Sequence, residues 1–307
     1  MKKYNVIIDT DPGVDDSIAI IPALFEKKLN IRLFTTVSGN VDLKQDTKNL
    51  LHILEFYKKD IPVAKGAEKP LVRERKHAHY IHGPFGTGKY VIPQEPTKKV
   101  IEKDAVEAMY ETICKYKNDI ILLLIAPTTN TALLFQKHPD VKSMISEIIV
   151  MGTSAYGMKK NTPLVKERHV SFNSSSDPES LKIVLESGIK VTIVPSEIGR
   201  SSHLHKEQVE KIKKNKLAGK MLYEMLDGYW EPNITPPIVA MNDSCAVLYL
   251  THPNVFKTKR ADVKLDVDKN PGKTIYNFND NGKHFIVTDI NVKKFHKAFF
   301  NALKHVK

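Results

Sequence analysis

Asp9, Asp11, Asp15 and Asp16 fall within one octapeptide, Asp9-Thr10-Asp11-Pro12-Gly13-Val14-Asp15-Asp16. Carboxylates this close raise one another's pKa and destabilise a fold unless something positive lies among them. Two of them have a plainer reading, as a helix N-cap and a first-turn acid that complement the helix dipole. Four exceed that need, and hard oxygen ligands of this kind suit calcium or magnesium. The expected chemistry is hydrolytic: a cation lowers the pKa of water, and a neighbouring carboxylate accepts the proton.

Three other patterns compete for these residues or lie near them. Asp9, Asp11, Gly13 and Asp15 faintly resemble an EF-hand loop, but its twelfth position needs Glu and is Ile20. A magnesium-dependent phosphohydrolase also uses paired aspartates after a first strand; it normally carries Thr or Val where Gly13 stands. The stretch Gly83-Pro84-Phe85-Gly86-Thr87-Gly88-Lys89 matches most of a phosphate-binding loop. There Tyr90 replaces the magnesium-binding hydroxyl, no buried strand precedes it, and Pro93 opposes a following helix.

The acids need a scaffold, and alternating apolar runs and amphipathic stretches provide one. Strands are predicted at Tyr4–Asp9, Ile31–Val37, Ile120–Ile125, Ile148–Met151 and Val191–Val194. Helices are predicted at Asp15–Lys28, Asp46–Lys58, Asp104–Lys117, Asn130–Gln136 and Asp177–Glu186, the last opened by Asp177-Pro178-Glu179. His203–Asp227 reads as largely helical and Asp243–Leu250 as a further helix. Val263–Ile290 reads as short strands with turns at Asn270-Pro271-Gly272 and Asn281-Gly282, before a final helix after Asn291. The expected fold is α/β: a mostly parallel central sheet flanked by helices, with small antiparallel C-terminal additions, in one domain spanning 1–307. The acidic run then sits at the C-terminal end of the first strand, the edge where such sheets bind ligands.

Composition narrows the function further. The chain has 307 residues, of which 41% are hydrophobic, enough for a large core. Its net charge of +12 raises the question of nucleic-acid binding, yet the lysines are spread along the chain and no basic stripe interleaves with aromatics. Two cysteines, Cys114 and Cys245, make no disulfide framework, and no apolar run is long enough for a leader peptide or a membrane span. The expectation is a cytoplasmic protein that acts on a small molecule, without nucleic-acid or membrane partners.

The octapeptide resembles the signature of the inosine-uridine-preferring nucleoside hydrolase family, and further segments extend the likeness in order along nearly the whole chain. They are Ser38-Gly39-Asn40, His82-Gly83, Ala126-Pro127-Thr128-Thr129-Asn130, Phe172-Asn173, Asp177-Pro178-Glu179 and Asn242-Asp243-Ser244. The resemblance implies cleavage of the N-glycosidic bond of purine or pyrimidine ribonucleosides. Calcium would be held by Asp11, Asp16, the Thr129 carbonyl and Asp243, with Asp11 as general base toward a calcium-bound water. Asp15 would hold ribose hydroxyls, assisted by Asn40 and Asn173. Read without the family, Thr129 is a helix cap and Asp243 a first-turn acid. A homodimer or homotetramer is implied by the same likeness.

The chain departs from the family at defined positions. Asn242 stands where many members have a histidine that protonates the departing base, and an amide has no such proton. His82, Tyr223, Tyr229 and Trp230 are the alternative donors or stackers, and Tyr223–Trp230, just before Pro232, is the expected base-pocket segment. Ser171 replaces a glutamate that binds ribose, Glu197 replaces an aspartate, and Lys159–His169, with Arg168 and His169, matches poorly; these changes point to an altered substrate preference. Cys245, two residues after Asp243, reads as a buried structural thiol. A third reading keeps the cation site and the sugar grip but loses catalysis, giving a nucleoside- or ribose-binding homologue.

Overall fold

The computed structural model describes residues 3–154, 170–215, 217–230 and 237–306. Strands β1 (Tyr4–Thr10), β2 (Leu29–Thr36), β3 (Val63–Lys65), β4 (Ile120–Leu124), β5 (Glu147–Thr153) and β6 (Val191–Pro195) are separated by helical segments. A short antiparallel ribbon, β7 (Leu204–His205) with β8 (Ile238–Val239), comes next, then β9 (Phe256–Asp266), β10 (Lys273–Phe278) and β11 (His284–Ile290). The main sheet has the order β3-β2-β1-β4-β5-β6-β11-β9-β10. It is parallel from β3 to β11, and β9 and β10 are added antiparallel at one edge. The mostly parallel sheet with antiparallel C-terminal strands is thus the architecture expected from the sequence.

The helices are α1 (Val14–Ala23), α2 (Leu43–Phe56), α3 (His79–His82), α4 (Ala105–Lys115), α5 (Thr129–Lys137), α6 (Phe172–Ser176), α7 (Pro178–Leu185), α8 (Ser196–Ser201), α9 (Lys206–Ile212), α10 (Gly219–Leu226), α11 (Asn242–Thr251) and α12 (Val292–Lys304). Alternation along β1 feeds two cores. Val6 and Ile8 join Ile18, Leu50, Leu222, Cys245 and Phe295 on one face, while Ile7 joins Met109, Leu122, Leu134 and Leu181 on the other. Both faces of the sheet are therefore covered, which is why its strands are nearly continuous apolar runs.

Some boundaries differ from the sequence reading, each for a local reason. Helix α1 stops at Ala23 rather than Lys28, because the chain turns through Leu29 N–H to Glu26 O to enter β2. Helix α2 begins before Asp46: the Asp42 carboxylate accepts the Gln45 N–H at 2.9 Å and is the cap. The His203–Asp227 stretch splits into α9 and α10, with the Asn215 side chain accepting the N–H groups of Leu217 and Ala218 between them. The antiparallel strands start at Phe256, earlier than Val263.

The strand order reverses beside β1. The chain steps outward through β2 and β3, then returns to β4 on the other side, opening a crevice at the C-terminal ends of β1 and β4. The loops after β1, β2 and β4 meet there, and they carry the acidic run, the Gly39–Asn40 turn and Thr129.

Candidate active site

Asp11 lies just past β1 and is fully buried. Its Oδ2 accepts the Asn40 backbone N–H at 2.9 Å, and its Oδ1 has no partner. Asp16, in the first turn of α1, is equally buried; its Oδ1 accepts from Thr10 Oγ1 and its Oδ2 from the Gly13 N–H at 3.1 Å. Asp243 enters from the first turn of α11 and is 2% exposed. Single carboxylate oxygens of Asp15, Asp16 and Asp243 lie within 4.8 Å of one another.

Burial dominates the electrostatics of this group. It drives the Asp11 and Asp243 carboxyls well above the usual carboxylate range, and the neighbouring acids push in the same direction. For Asp11 those neighbours are Asp16, Asp46 and Asp15; for Asp243 they are Asp15, Asp16 and Asp11. Burial, followed by the Asp15 charge, raises Asp16 to about 7. Such a group is costly unless a positive charge enters it. The unpartnered, buried Oδ1 atoms of Asp11 and Asp15 are acceptor positions that no protein donor fills. An all-oxygen donor set of this kind fits a hard divalent cation.

Two findings change the sequence picture of the acids. Asp9 does not belong to the cluster: its Oδ1 accepts from Thr35 Oγ1 at 2.6 Å and Asn130 Nδ2 at 2.8 Å, and burial raises it to about 7. Polar groups of β2 and α5 claim it. Asp46 takes its place as a fully buried carboxylate whose charge acts on Asp11. The signal was present in α2, where Asp46 lies on the inward stripe with Leu43, Leu50 and Leu54 at helical spacing.

Asn40 spends its side-chain donors on the acids: Nδ2 reaches the Asp11 carbonyl at 2.9 Å and Asp16 Oδ2 at 3.0 Å. The geometry makes it a holder of the acids. Thr129 is anchored by its hydroxyl, which donates to Asp177 Oδ2 at 2.6 Å; the same oxygen accepts the Leu71 N–H at 3.0 Å. Asn173, on α6, donates Nδ2 to the Ile125 carbonyl at 3.1 Å and packs on Gly152, whose φ of +104° and crowded Cα suit only glycine. Asp15 is the acid with some exposure, 14% of its side chain. Asn242 Nδ2 lies 3.4 Å from Asp15 Oδ2.

His82 is 5% exposed, and its Nδ1 accepts the Val14 backbone N–H at 3.2 Å. The proton of the neutral ring is thereby placed on Nε2. The Tyr229 ring lies against it, centroids 5.1 Å apart. The other aromatics face elsewhere. Tyr223 donates its hydroxyl to Glu210 at 2.9 Å with the Lys213 ammonium over its ring, and Trp230 Nε1 donates to the Asp227 carbonyl at 2.9 Å. The structure brings together Asp11, Asp15, Asp16, Asp243, Asn40, His82 and Asn242, and does not bring Tyr223 to them.

Ser171 caps α6 and donates its N–H to Ser154 Oγ at 2.9 Å, and Glu197 lies in the first turn of α8. Lys159–His169 and Pro232 lie outside the described residues. Cys245 is fully buried in α11, and burial pushes its thiol up to about 12. The glycine loop at 83–89 follows the short helix α3, not a strand, and packs on α10. No helix among the described residues is long and apolar enough to cross a membrane.

A doubly wound sheet with a cation-ready acid cluster at its switch point defines a class of α/β enzyme that works on a small ligand. The family follows from comparison. The family model described as inosine-uridine preferring nucleoside hydrolase matches residues 6–297, and this chain belongs to that family. The non-specific ribonucleoside hydrolase RihC of Escherichia fergusonii is 33% identical over 261 residues, covering 85% of this chain and 83% of that protein. The Escherichia coli protein of the same name is 32% identical over 261 residues, with the same coverage. Among solved structures, the purine-preferring ribonucleoside hydrolase from Gardnerella vaginalis aligns with a TM-score of 0.88 and 26% identity over 98% of each chain. The plant nucleoside hydrolase PpNRh1, at 24% identity, aligns with a TM-score of 0.89 over 98% of this chain and 99% of its own, a likeness of fold. The chain is accordingly an enzyme acting on N-glycosyl compounds, of a metal-dependent family, and the phosphohydrolase alternative falls away.

Proposed function

We propose that the chain hydrolyses the N-glycosidic bond of purine and pyrimidine ribonucleosides, giving free base and ribose, with calcium as its cation. One observation carries the reading: Asp15, Asp16 and Asp243 converge to within 4.8 Å, and beside them Asp11 and Asp15 each bury an Oδ1 without a partner. Asp11, Asp16, Asp243 and the Thr129 carbonyl are the proposed cation ligands, with Asp15 near enough to join them. When bound, calcium lowers the pKa of water and offsets the clustered negative charge.

The protein's own groups then account for the remaining chemistry. Asp11 takes the proton of the attacking water on Oδ1, while the Asn40 N–H on Oδ2 fixes the carboxylate. Water oxygen bonds to the anomeric carbon as the carbon–nitrogen bond breaks, and that electron pair leaves with the base. Asp15 receives the ribose hydroxyls and, with Asp11, stabilises the positive charge that develops on the sugar. His82, a neutral ring with its proton held on Nε2 by the Val14 contact, donates a hydrogen bond to the departing base, which takes its proton from solvent. Asn242 orients Asp15. Asn173 borders the sugar from α6. The aromatic face of Tyr229 beside His82 offers stacking, which tolerates both base classes, in keeping with the names of the RihC relatives.

The test is release of free ribose from inosine, adenosine, uridine, cytidine and p-nitrophenyl riboside, with and without chelator. Ribose from nucleosides of both classes, lost in chelator and restored by calcium, is the expected result. Ribose from none of the five compounds in the presence of calcium would favour a nucleoside binder.

A further inference from the structure

Asp46 is a fully buried acid with an incomplete set of partners. Its Oδ2 faces the Gly39 N–H at 3.4 Å, and the Val41 backbone also bonds the carboxylate. Its Oδ1 is buried with no partner. A helix-borne side chain that only secured this turn would need one acceptor oxygen and no charge. A serine hydroxyl or an asparagine amide provides that without leaving a buried oxygen unsatisfied, which costs about 1–3 kcal/mol and more for a charged group.

The surroundings connect Asp46 to the acids. Gly39 is the layer between: a Cβ added there would lie 1.9 Å from Asp11 Oδ2, while its N–H points to Asp46. The next residue, Asn40, bonds Asp11 through its backbone and Asp16 through its side chain. The Asp46 charge acts on Asp11, and that of Asp16 acts on Asp46. Five carboxylates, not four, therefore share this electrostatic environment: Asp11, Asp15, Asp16, Asp46 and Asp243.

We infer that Asp46 is an outer carboxylate of the cation site, which strengthens cation binding and fixes the Gly39–Asn40 turn that holds Asp11 and Asp16. The inference rests on the cation reading above. Asp46 is a positioning residue and touches neither substrate nor the reacting atoms. Its negative charge lies one peptide layer behind Asp11, where it favours a divalent ion in the cluster. Its grip on the turn keeps Asn40 aimed at both ligands.

The experiment is calorimetric titration of calcium into metal-stripped wild type, Asp46→Asn and Asp46→Ser, with circular dichroism to establish folding. Both substitutions keep an acceptor for the turn and remove the charge. Calcium affinity is expected to fall about 10- to 100-fold in each, the range for outer-sphere partners of metal ligands. The calcium-induced rise in Tm should shrink, the calcium needed for half-maximal ribose release should increase, and kcat at saturating calcium should largely recover. Wild-type affinity in either folded variant overturns the inference. Loss of fold in both variants also overturns it, in favour of a purely structural acid. Wild type that binds no divalent cation sinks the cation reading itself, and Asp46's role with it, a result distinct from the other two.

Discussion

Asn242 extends its amide nitrogen to 3.4 Å from the Asp15 carboxylate, while its carbonyl oxygen is buried without a hydrogen-bond partner. It fills the space beside Gly199, where an added Cβ would lie 2.2 Å from that oxygen. The amide thus orients an acid and has no proton to give at neutral pH. In the proposed reaction, stabilisation of the departing base then falls to the Nε2–H of His82, whose Nδ1 lies 3.8 Å from Asp15 Oδ1.

Replacing His82 by Ala should lower kcat/KM for inosine by about 10²- to 10³-fold, the usual cost of removing one placed hydrogen-bond donor to a developing charge. The loss on p-nitrophenyl riboside should be much smaller, because that leaving group departs without protonation. Tyr223→Phe should leave both rates unchanged, since its hydroxyl bonds Glu210 away from the acids. Steady-state rates on the two substrates decide it, and an equal loss on both removes His82 from the role.

Gly39→Ala places a Cβ 1.9 Å from Asp11 Oδ2, so Asp11, the proposed general base, must move. A displacement approaching 1 Å costs about 10²-fold in rate, and turnover should fall at least that far. Gly188→Ala is the contrast. It meets nothing within 4 Å but has φ +82°, so it should cost about 1–2 kcal/mol of stability and no activity. Urea melts and ribose release measure the two effects separately.

The cysteines should differ sharply toward a thiol reagent at pH 8. Cys114 is exposed, while Cys245 is buried with its thiol raised to about 12, so it stays protonated and shielded over the working pH range. One thiol per chain should react in native protein and two in guanidinium chloride. Two rapid thiols in the native state would show that α11, which carries Asp243, opens readily.

Much of this architecture was legible from the strand and helix periods, since buried parallel strands are apolar runs such as Ile120–Leu124. The acids at the end of β1 were visible because their spacing is local. Their membership was not. Asp9 and Asp11 both follow the first strand, and only the positions of Thr35 and Asn130 decide that Asp9 is turned away. Asp46 was read as the start of a helix because an acid there has an ordinary explanation; the Asp42 cap shifts the helix start and turns Asp46 inward. Tyr223 and Tyr229 lie six positions apart on similar sequence, and their different facings follow from packing against α9 and α3.

The loop after α3 is riveted to α10. A Cβ on Gly88 would lie 2.2 Å from the Met225 carbonyl, the Lys89 N–H donates to the Glu224 carbonyl, and the Lys89 ammonium pairs with Asp227 at 2.8 Å. His82 and Tyr229, one from each side of this seam, pack ring against ring with centroids 5.1 Å apart. A nucleobase bound there, as proposed, would meet a preassembled wall, and little conformational freedom would be surrendered on association. Discrimination among bases on that side must come from a fixed contour, as a mould selects a casting, and changes at the seam should retune which bases fit without altering how the sugar is attacked.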